Sequence, residues 1–125
     1  METKFKGKPV KLAGDFVFAG QKAPFFTLTE RDLSHYTLSP KPGKYIVMNI
    51  FPSIETAVCS TTVRKFNQRA ALLPNVEVLC ISRDLPFAQQ RFCAAEGLEH
   101  VRTLSDFHRS STFGEDYGVM MTEGP

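Results

Sequence analysis

Two apolar runs constrain the fold of this chain more than any other feature. They are Tyr45-Ile46-Val47-Met48-Asn49-Ile50-Phe51 and Val76-Glu77-Val78-Leu79-Cys80-Ile81-Ser82. Each is short, nearly continuous and rich in β-formers, the mark of a strand covered on both faces. Pro52 stops the first run. Residues 57–72 then carry Val58, Val63, Phe66, Ala70 and Leu73 at roughly helical spacing, which predicts an amphipathic helix. After the second run, Asp84 reads as an N-cap, Pro86 suits a first turn and Gly97 suits a C-terminal stop. A second helix is therefore predicted over about 85–96. Strand, helix, strand, helix in this order predicts an α/β class with a parallel core and right-handed crossover.

The flanking segments are lighter. Residues 3–12 alternate around Gly7 and predict a β-hairpin, with Lys4, Lys6, Lys8 and Lys11 on its solvated side. Residues 14–24 read as loop, 25–29 as a short strand, 39–44 as a turn cluster and 101–105 as a short strand. Residues 110–117 suit one more short helix, ending near Gly118. At 125 residues the chain has room for one domain, spanning 1–125.

Composition mainly excludes. A net charge of +2 is too balanced to argue for nucleic acid or an anionic membrane as partner. No apolar run is long enough to span a bilayer, and no signal-peptide segment follows the charged N-terminus. A cytoplasmic setting with reduced thiols is expected. Cys59, Cys80 and Cys93 form no short-spaced ligand pairs, and His35, His100 and His108 stand apart from them. A metal site is not expected.

In open parallel sheets, catalytic groups sit where strand ends meet helix starts. Here that place is residues 51–60, Phe-Pro-Ser-Ile-Glu-Thr-Ala-Val-Cys-Ser. Cys59 falls in the predicted first turn, where unpaired backbone N–H groups favour a thiolate, the nucleophilic form of sulfur. Thr56, three residues earlier, can offer its hydroxyl to a thiolate or a peroxide. Pro52 fixes the exit from the strand and can shield a pocket from water. The plainer alternative is an inert buried cysteine. Cys80, inside the apolar strand, reads as packing. Cys93, mid-helix, reads from position alone as a core or surface residue.

Taken together, Pro52-Ser53-Ile54-Glu55-Thr56-Ala57-Val58-Cys59, the following STTVRKFNQ and the segment Arg83-Asp84-Leu85-Pro86-Phe87-Ala88-Gln89-Gln90-Arg91-Phe92-Cys93 resemble the bacterial thiol peroxidase subfamily of the peroxiredoxins. Pro52, Thr56 and Cys59 match the peroxiredoxin P-x-x-x-T-x-x-C signature, and the cysteine 34 residues downstream is the feature specific to the subfamily. The N-terminal hairpin and Glu30-Arg31-Asp32-Leu33-Ser34 also fit, so the resemblance runs along essentially the whole chain. It implies a thioredoxin-like fold and a peroxidase acting on hydrogen peroxide and organic hydroperoxides. It implies that Cys59 is peroxidatic, that Cys93 resolves its sulfenic acid through an intramolecular disulfide, and that thioredoxin is the reductant. It also implies a homodimer with no metal, haem or flavin.

The sequence ends at Gly124-Pro125, whereas the subfamily continues into a further β-hairpin, a final helix and an arginine that helps activate the cysteine. The expectation is a thioredoxin-like domain incomplete at its C-terminus. Three consequences are expected: an open apolar edge at residues 45–51, reduced activity, and support for Cys59 from the helix N-terminus and Thr56 alone. Alternatives to a working peroxidase are a redox sensor with the same thiols and an inactive fragment. Because Cys59 and Cys93 are predicted on different helices, a disulfide between them requires local unwinding.

Overall fold

In the computed structural model, residues 2–39 and 43–122 are described. Along the chain the elements are β1 (Glu2–Phe5), β2 (Lys8–Ala13), β3 (Thr27–Glu30), β4 (His35–Thr37), β5 (Tyr45–Ile50), α1 (Ala57–Ala70), β6 (Val76–Ser82), α2 (Pro86–Glu96), β7 (Arg102–Ser105), α3 (Phe113–Asp116) and β8 (Met120–Met121). They gather into two compact units, one from the segments up to Phe26 and from His108 onward, the other from Thr27–Phe107.

The second unit holds the predicted α/β core. Its five-stranded sheet runs β4-β3-β7-β6-β5. β5, β6 and β7 are parallel, while β3 lies antiparallel to both β7 and β4. The Val76–Ser82 run forms β6, with a parallel strand on each side and Val78 through Ser82 all buried. Strand alternation sends Val78 and Cys80 to one face and Leu79 and Ile81 to the other. On the first face Val78 and Cys80 pack with Val63 of α1, Cys93 of α2, Ile54, Leu98 and Val101. Full burial of a side chain such as Val63 contributes about 1.5–3 kcal/mol, so this cluster fixes both helices to the sheet.

The two helices lie side by side. Arg64 makes a two-pronged ion pair with Glu96, at 3.1 and 3.0 Å, and its guanidinium stands 5.4 Å from the Phe92 ring centroid. The Asn67 side chain accepts the His100 amide at 2.8 Å. α2 ends as predicted at Gly97, whose φ of 65° lies in the left-handed region that suits glycine. The Gly97 and Leu98 amides both donate to the Cys93 carbonyl, which closes the last turn.

Several expectations are corrected. β5 is not covered on both faces. It is the outermost strand of the described sheet, and Tyr45, Val47 and Ile50 are all exposed. An apolar strand therefore stands at an open edge. The inward row of α1 is only partly the predicted one, because Val58 is 79% exposed and Leu73 lies beyond the helix end. Val58 and Val63 are five residues apart, which is not one helical face. Val63, Phe66 and Ala70 of the predicted row do pack on the core, and half-buried Cys59 stands one turn before Val63. Asp84 does not cap α2. Leu85 takes the N-cap position, and the Asp84 carboxylate turns elsewhere.

The first unit contains the predicted hairpin. β1 and β2 pair in register from Glu2↔Lys11 to Phe5↔Lys8, around Lys6 and Gly7 at φ 51° and 79°. Two consecutive positive φ values are those of a type I′ turn. The four lysines are exposed and Val10 is buried. β8, which the sequence did not announce, extends this sheet through Leu12↔Met121. Phe26, Phe113 and Tyr117 form a ring cluster, and the Tyr117 hydroxyl donates to the Pro24 carbonyl at 2.6 Å. Gly118 is required where it stands. A Cβ there would lie 2.3 Å from the Phe16 nitrogen. The predicted turn cluster at 39–44 falls partly outside the described residues.

Candidate active site

The chain leaves β5 through Phe51, whose amide still donates to the Ile81 carbonyl at 3.0 Å. Pro52 has no amide to continue the ladder, so the strand ends there. The next turn is tied back on Ser53. Its carbonyl accepts both the Thr56 amide at 3.2 Å and the Thr56 hydroxyl at 3.0 Å. Thr56 has extended backbone angles and stands at the N-cap of α1 without a side-chain capping bond. Its hydroxyl proton is thus directed at Ser53, and its oxygen lone pairs remain for an incoming O–H donor.

The first intrahelical bond of α1 runs from the Ser60 amide to the Thr56 carbonyl at 3.0 Å. Cys59 is the third helical residue, so its amide and those of Ala57 and Val58 precede that bond. These N–H groups carry the positive end of the helix dipole. The Cys59 side chain is half-buried, as are Pro52 and Thr56. The structure therefore brings Pro52, Thr56 and Cys59 into one strand-to-helix junction.

Asp84 holds this junction in place, a role that the sequence reading missed. One carboxylate oxygen accepts the Ser53 hydroxyl at 2.6 Å. The other accepts the Ile54 amide at 2.7 Å and the Ser82 hydroxyl at 2.6 Å. Ser53 Oγ in turn accepts the Glu55 amide at 3.1 Å. Asp84 itself is anchored, since the Ser105 hydroxyl donates to its carbonyl. Behind it, the buried Gln89 donates to Ser82 Oγ at 3.1 Å and to the Leu104 carbonyl at 2.9 Å. A serine after Pro52 and an aspartate two residues past a buried strand were the only signals of this clamp.

Arg64, Arg83 and Arg91 are engaged elsewhere. Arg64 is committed to Glu96 and Phe92. Arg91 lies 3.9 Å from Glu55, both largely in solvent. Arg83 donates to the Asp106 carbonyl at 3.0 Å.

The three thiols are all free and differ in setting. Cys93 is 2% exposed and Cys80 is fully buried. Burial pushes the Cys80 thiol up to about 12; nearby Cys93 adds to the rise, and a 3.8 Å hydrogen bond from Asn49 opposes it. Cys93 lies in the same buried cluster as Val63, which stands one turn of α1 after Cys59. Among the described residues no three His, Cys, Asp or Glu side chains cluster as metal ligands, and no helix is long and apolar enough to cross a membrane.

A mixed sheet with a parallel core, and a half-exposed cysteine in the first turn of the helix that follows its edge strand, fit the thioredoxin-like class. Residues 18–125 match the redoxin family. The chain is 52% identical to a thiol peroxidase of Listeria monocytogenes, over 98% of its own length and 73% of that protein's. It is also 52% identical to a thiol peroxidase of Halalkalibacterium halodurans, over 95% of its length and 71% of the relative's. Among solved structures, a peroxiredoxin-like protein from Aquifex aeolicus superposes with a TM-score of 0.88 at 36% identity, covering 98% of this chain and 71% of that one. A thiol peroxidase from Chromobacterium violaceum shares the fold with a TM-score of 0.85 at 21% identity, covering 99% and 72%. The chain belongs to the redoxin family and, within it, to the thiol peroxidases of the peroxiredoxin group. It is a thiol-dependent peroxidase.

Proposed function

We propose that Cys59 is the peroxidatic residue and Cys93 the resolving one. The observation that carries this is the contrast in exposure: Cys59 heads the first turn of α1 with its side chain reaching solvent, while Cys80 and Cys93 are buried. The Cys59 thiolate attacks one oxygen of a hydroperoxide. The O–O bond breaks, the sulfur becomes a sulfenic acid, and the other oxygen leaves as an alcohol or, from hydrogen peroxide, as water after taking a proton. Thr56 orients the peroxide through its oxygen lone pairs, and Pro52 limits water at the sulfur. The Cys93 thiol then displaces hydroxide from the sulfenic sulfur, which leaves as water and forms an intramolecular disulfide. An external dithiol protein of the thioredoxin type supplies two electrons and two protons to restore both thiols, becoming a disulfide itself.

Disulfide formation requires movement. Cys93 must leave an apolar cluster to reach the Cys59 sulfur. Unwinding is placed at the first turn of α1 and the last turn of α2, which are the helix ends that carry the cysteines. Exposed Val58 and Phe87, at the starts of the two helices, supply apolar surface for the reductant or for a second copy in a homodimer. The setting of reduced thiols fits a cytoplasmic enzyme and a catalytic, not structural, disulfide.

The test is intact mass and disulfide mapping after one equivalent of hydrogen peroxide. A Cys59–Cys93 bond is expected, with repeated turnover when thioredoxin and its reductase are supplied. A bond involving Cys80 would overturn the assignment of roles. A single stoichiometric oxidation without turnover would make the protein a sensor.

A further inference from the structure

Besides the Arg64–Glu96 pair, a second polar fastening joins the approaches to the two cysteine-bearing helices, and Asp84 is its centre. The residue sits two positions before Pro86, the first residue of α2, and its carboxylate reaches across to the turn that launches α1. We propose that Asp84 is a positioning residue that latches the Ser53–Thr56 turn closed and thereby sets the balance between peroxide attack at Cys59 and disulfide formation with Cys93. The proposal rests on the assignment of those two cysteines made above.

Each link is a short hydrogen bond. Asp84 takes the Ser53 hydroxyl and the Ile54 amide at 2.6 and 2.7 Å. Ser53 passes the constraint forward, accepting Glu55 on its hydroxyl and Thr56 twice on its carbonyl. Thr56 then accepts the first helical bond, from Ser60. Three hydrogen-bonded steps thus lead from Asp84 through Ser53 and Thr56 to Ser60, the neighbour of Cys59, and the carboxylate is itself fixed by Ser82 and Ser105. Hydrogen bonds to a charged acceptor are the strong ones in a protein, and losing such an acceptor leaves part-buried donors unmatched. With the latch closed, the first turn stays helical and Cys59 stays at the helix start. With the latch open, that turn unwinds readily, as disulfide formation demands. Ser53 contributes one of the arms, and Ile54 ties the turn to the core, since its side chain is buried with Val63 and Cys93.

The latch predicts opposite effects on two steps. In Asp84→Ala, sulfenic acid formation with hydrogen peroxide is expected to slow by about tenfold or more, from the loss of one charge-assisted link. Disulfide formation from the sulfenic acid is expected to quicken severalfold. Ser53→Ala should show the same two signs with smaller size. Asp84→Asn, whose amide oxygen still accepts the Ile54 amide, should fall between wild type and Asp84→Ala. Rapid-quench mass spectrometry of reduced protein mixed with hydrogen peroxide separates the two rates. Amide hydrogen exchange of reduced protein reads the latch without chemistry: residues 54–59 should exchange faster in the variants while β6 stays unchanged. If Asp84→Ala does not fold, Asp84→Asn and Ser53→Ala carry the same criteria. Both rates falling together, or exchange at 54–59 unaltered, would overturn the latch. Faster exchange in the variants of a protein whose wild-type Cys59 ignores peroxide would instead overturn the cysteine assignment, and with it the kinetic half of this proposal.

Discussion

The junction that holds Cys59 and the core beneath it treat the same chemical group in opposite ways. At the junction the cysteine stands in the first turn of a helix, half in solvent, with the turn before it bound by hydroxyl and carboxylate groups. In the core, Cys80 and Cys93 lie in an apolar cluster with Val63, Val78 and Leu98. The residue type is identical and the distance small. What differs is exposure: Cys59 is half in solvent, while burial at Cys80 penalises a charged sulfur. The lesson is that composition says nothing about which cysteine reacts, and position within strand and helix says nearly everything.

That contrast can be broken most directly by removing the junction thiol. Cys59→Ser is expected to lower peroxide consumption by more than about a thousandfold, because the covalent intermediate cannot form. Cys80→Ala should leave it within a few-fold. Coupled oxidation of the reductant measures both. The contrast is sharpened next by labelling. Brief exposure of folded protein to iodoacetamide near neutral pH should modify Cys59 first. Cys80, with its thiol pushed up to about 12, should lag an ordinary thiol by roughly a thousandfold in thiolate population alone. Timed quenching and peptide mass analysis report the order, and early label on Cys80 would erase the distinction.

A third prediction concerns stability against pH. The folded state raises Cys80 from its ordinary 9.0 to about 12 by burying it. The neutral thiol is thus favoured by folding, so its contribution is complete below about pH 9 and is lost as pH climbs toward 12. The loss runs at up to ~1.4 kcal/mol per pH unit. Urea titrations of wild type and Cys80→Ala should therefore differ most below pH 9 and draw together above it. A gap that stays constant from pH 8 to pH 11 contradicts burial as the cause. The smallest effect is expected at Arg64. Its pairing with Glu96 is largely exposed and does not involve the sulfur, so Arg64→Gln should change peroxide reactivity by less than about threefold. A tenfold drop would mean that Arg64 leaves Glu96 to support Cys59.

Much of the second unit was legible from hydrophobic pattern. The Val76–Ser82 run forms a strand between two parallel neighbours, and Gly97 ends its helix with the left-handed angle that glycine permits. The open edge at Tyr45–Ile50 was expected, but the exposure of its faces was not, because pattern reports what a strand is made of and not what covers it. Val58 was misplaced for a simpler reason, an i to i+5 spacing accepted as one face. Asp84 shows the deeper limit. An acidic residue just before a helix has a local role available, as cap, and a distant one, as clamp on Ser53 and Ile54. Sequence displays the local option only. The partners of the distant one lie about thirty residues away, brought near by strand pairing of β5 with β6.

The end of α2 carries an unplanned signal. The carbonyl of Cys93 receives the amides of both Gly97 and Leu98, so the peptide group that closes the helix belongs to the residue proposed to resolve the sulfenic acid. Drawing that cysteine toward Cys59 cannot leave both bonds intact. The amide resonances of Gly97 and Leu98 thereby become a built-in indicator of oxidation state, readable by solvent exchange without any label. Their protection should vanish on disulfide formation and return on reduction, so the oxidised fraction of a sample can be followed at two backbone positions that do no chemistry themselves.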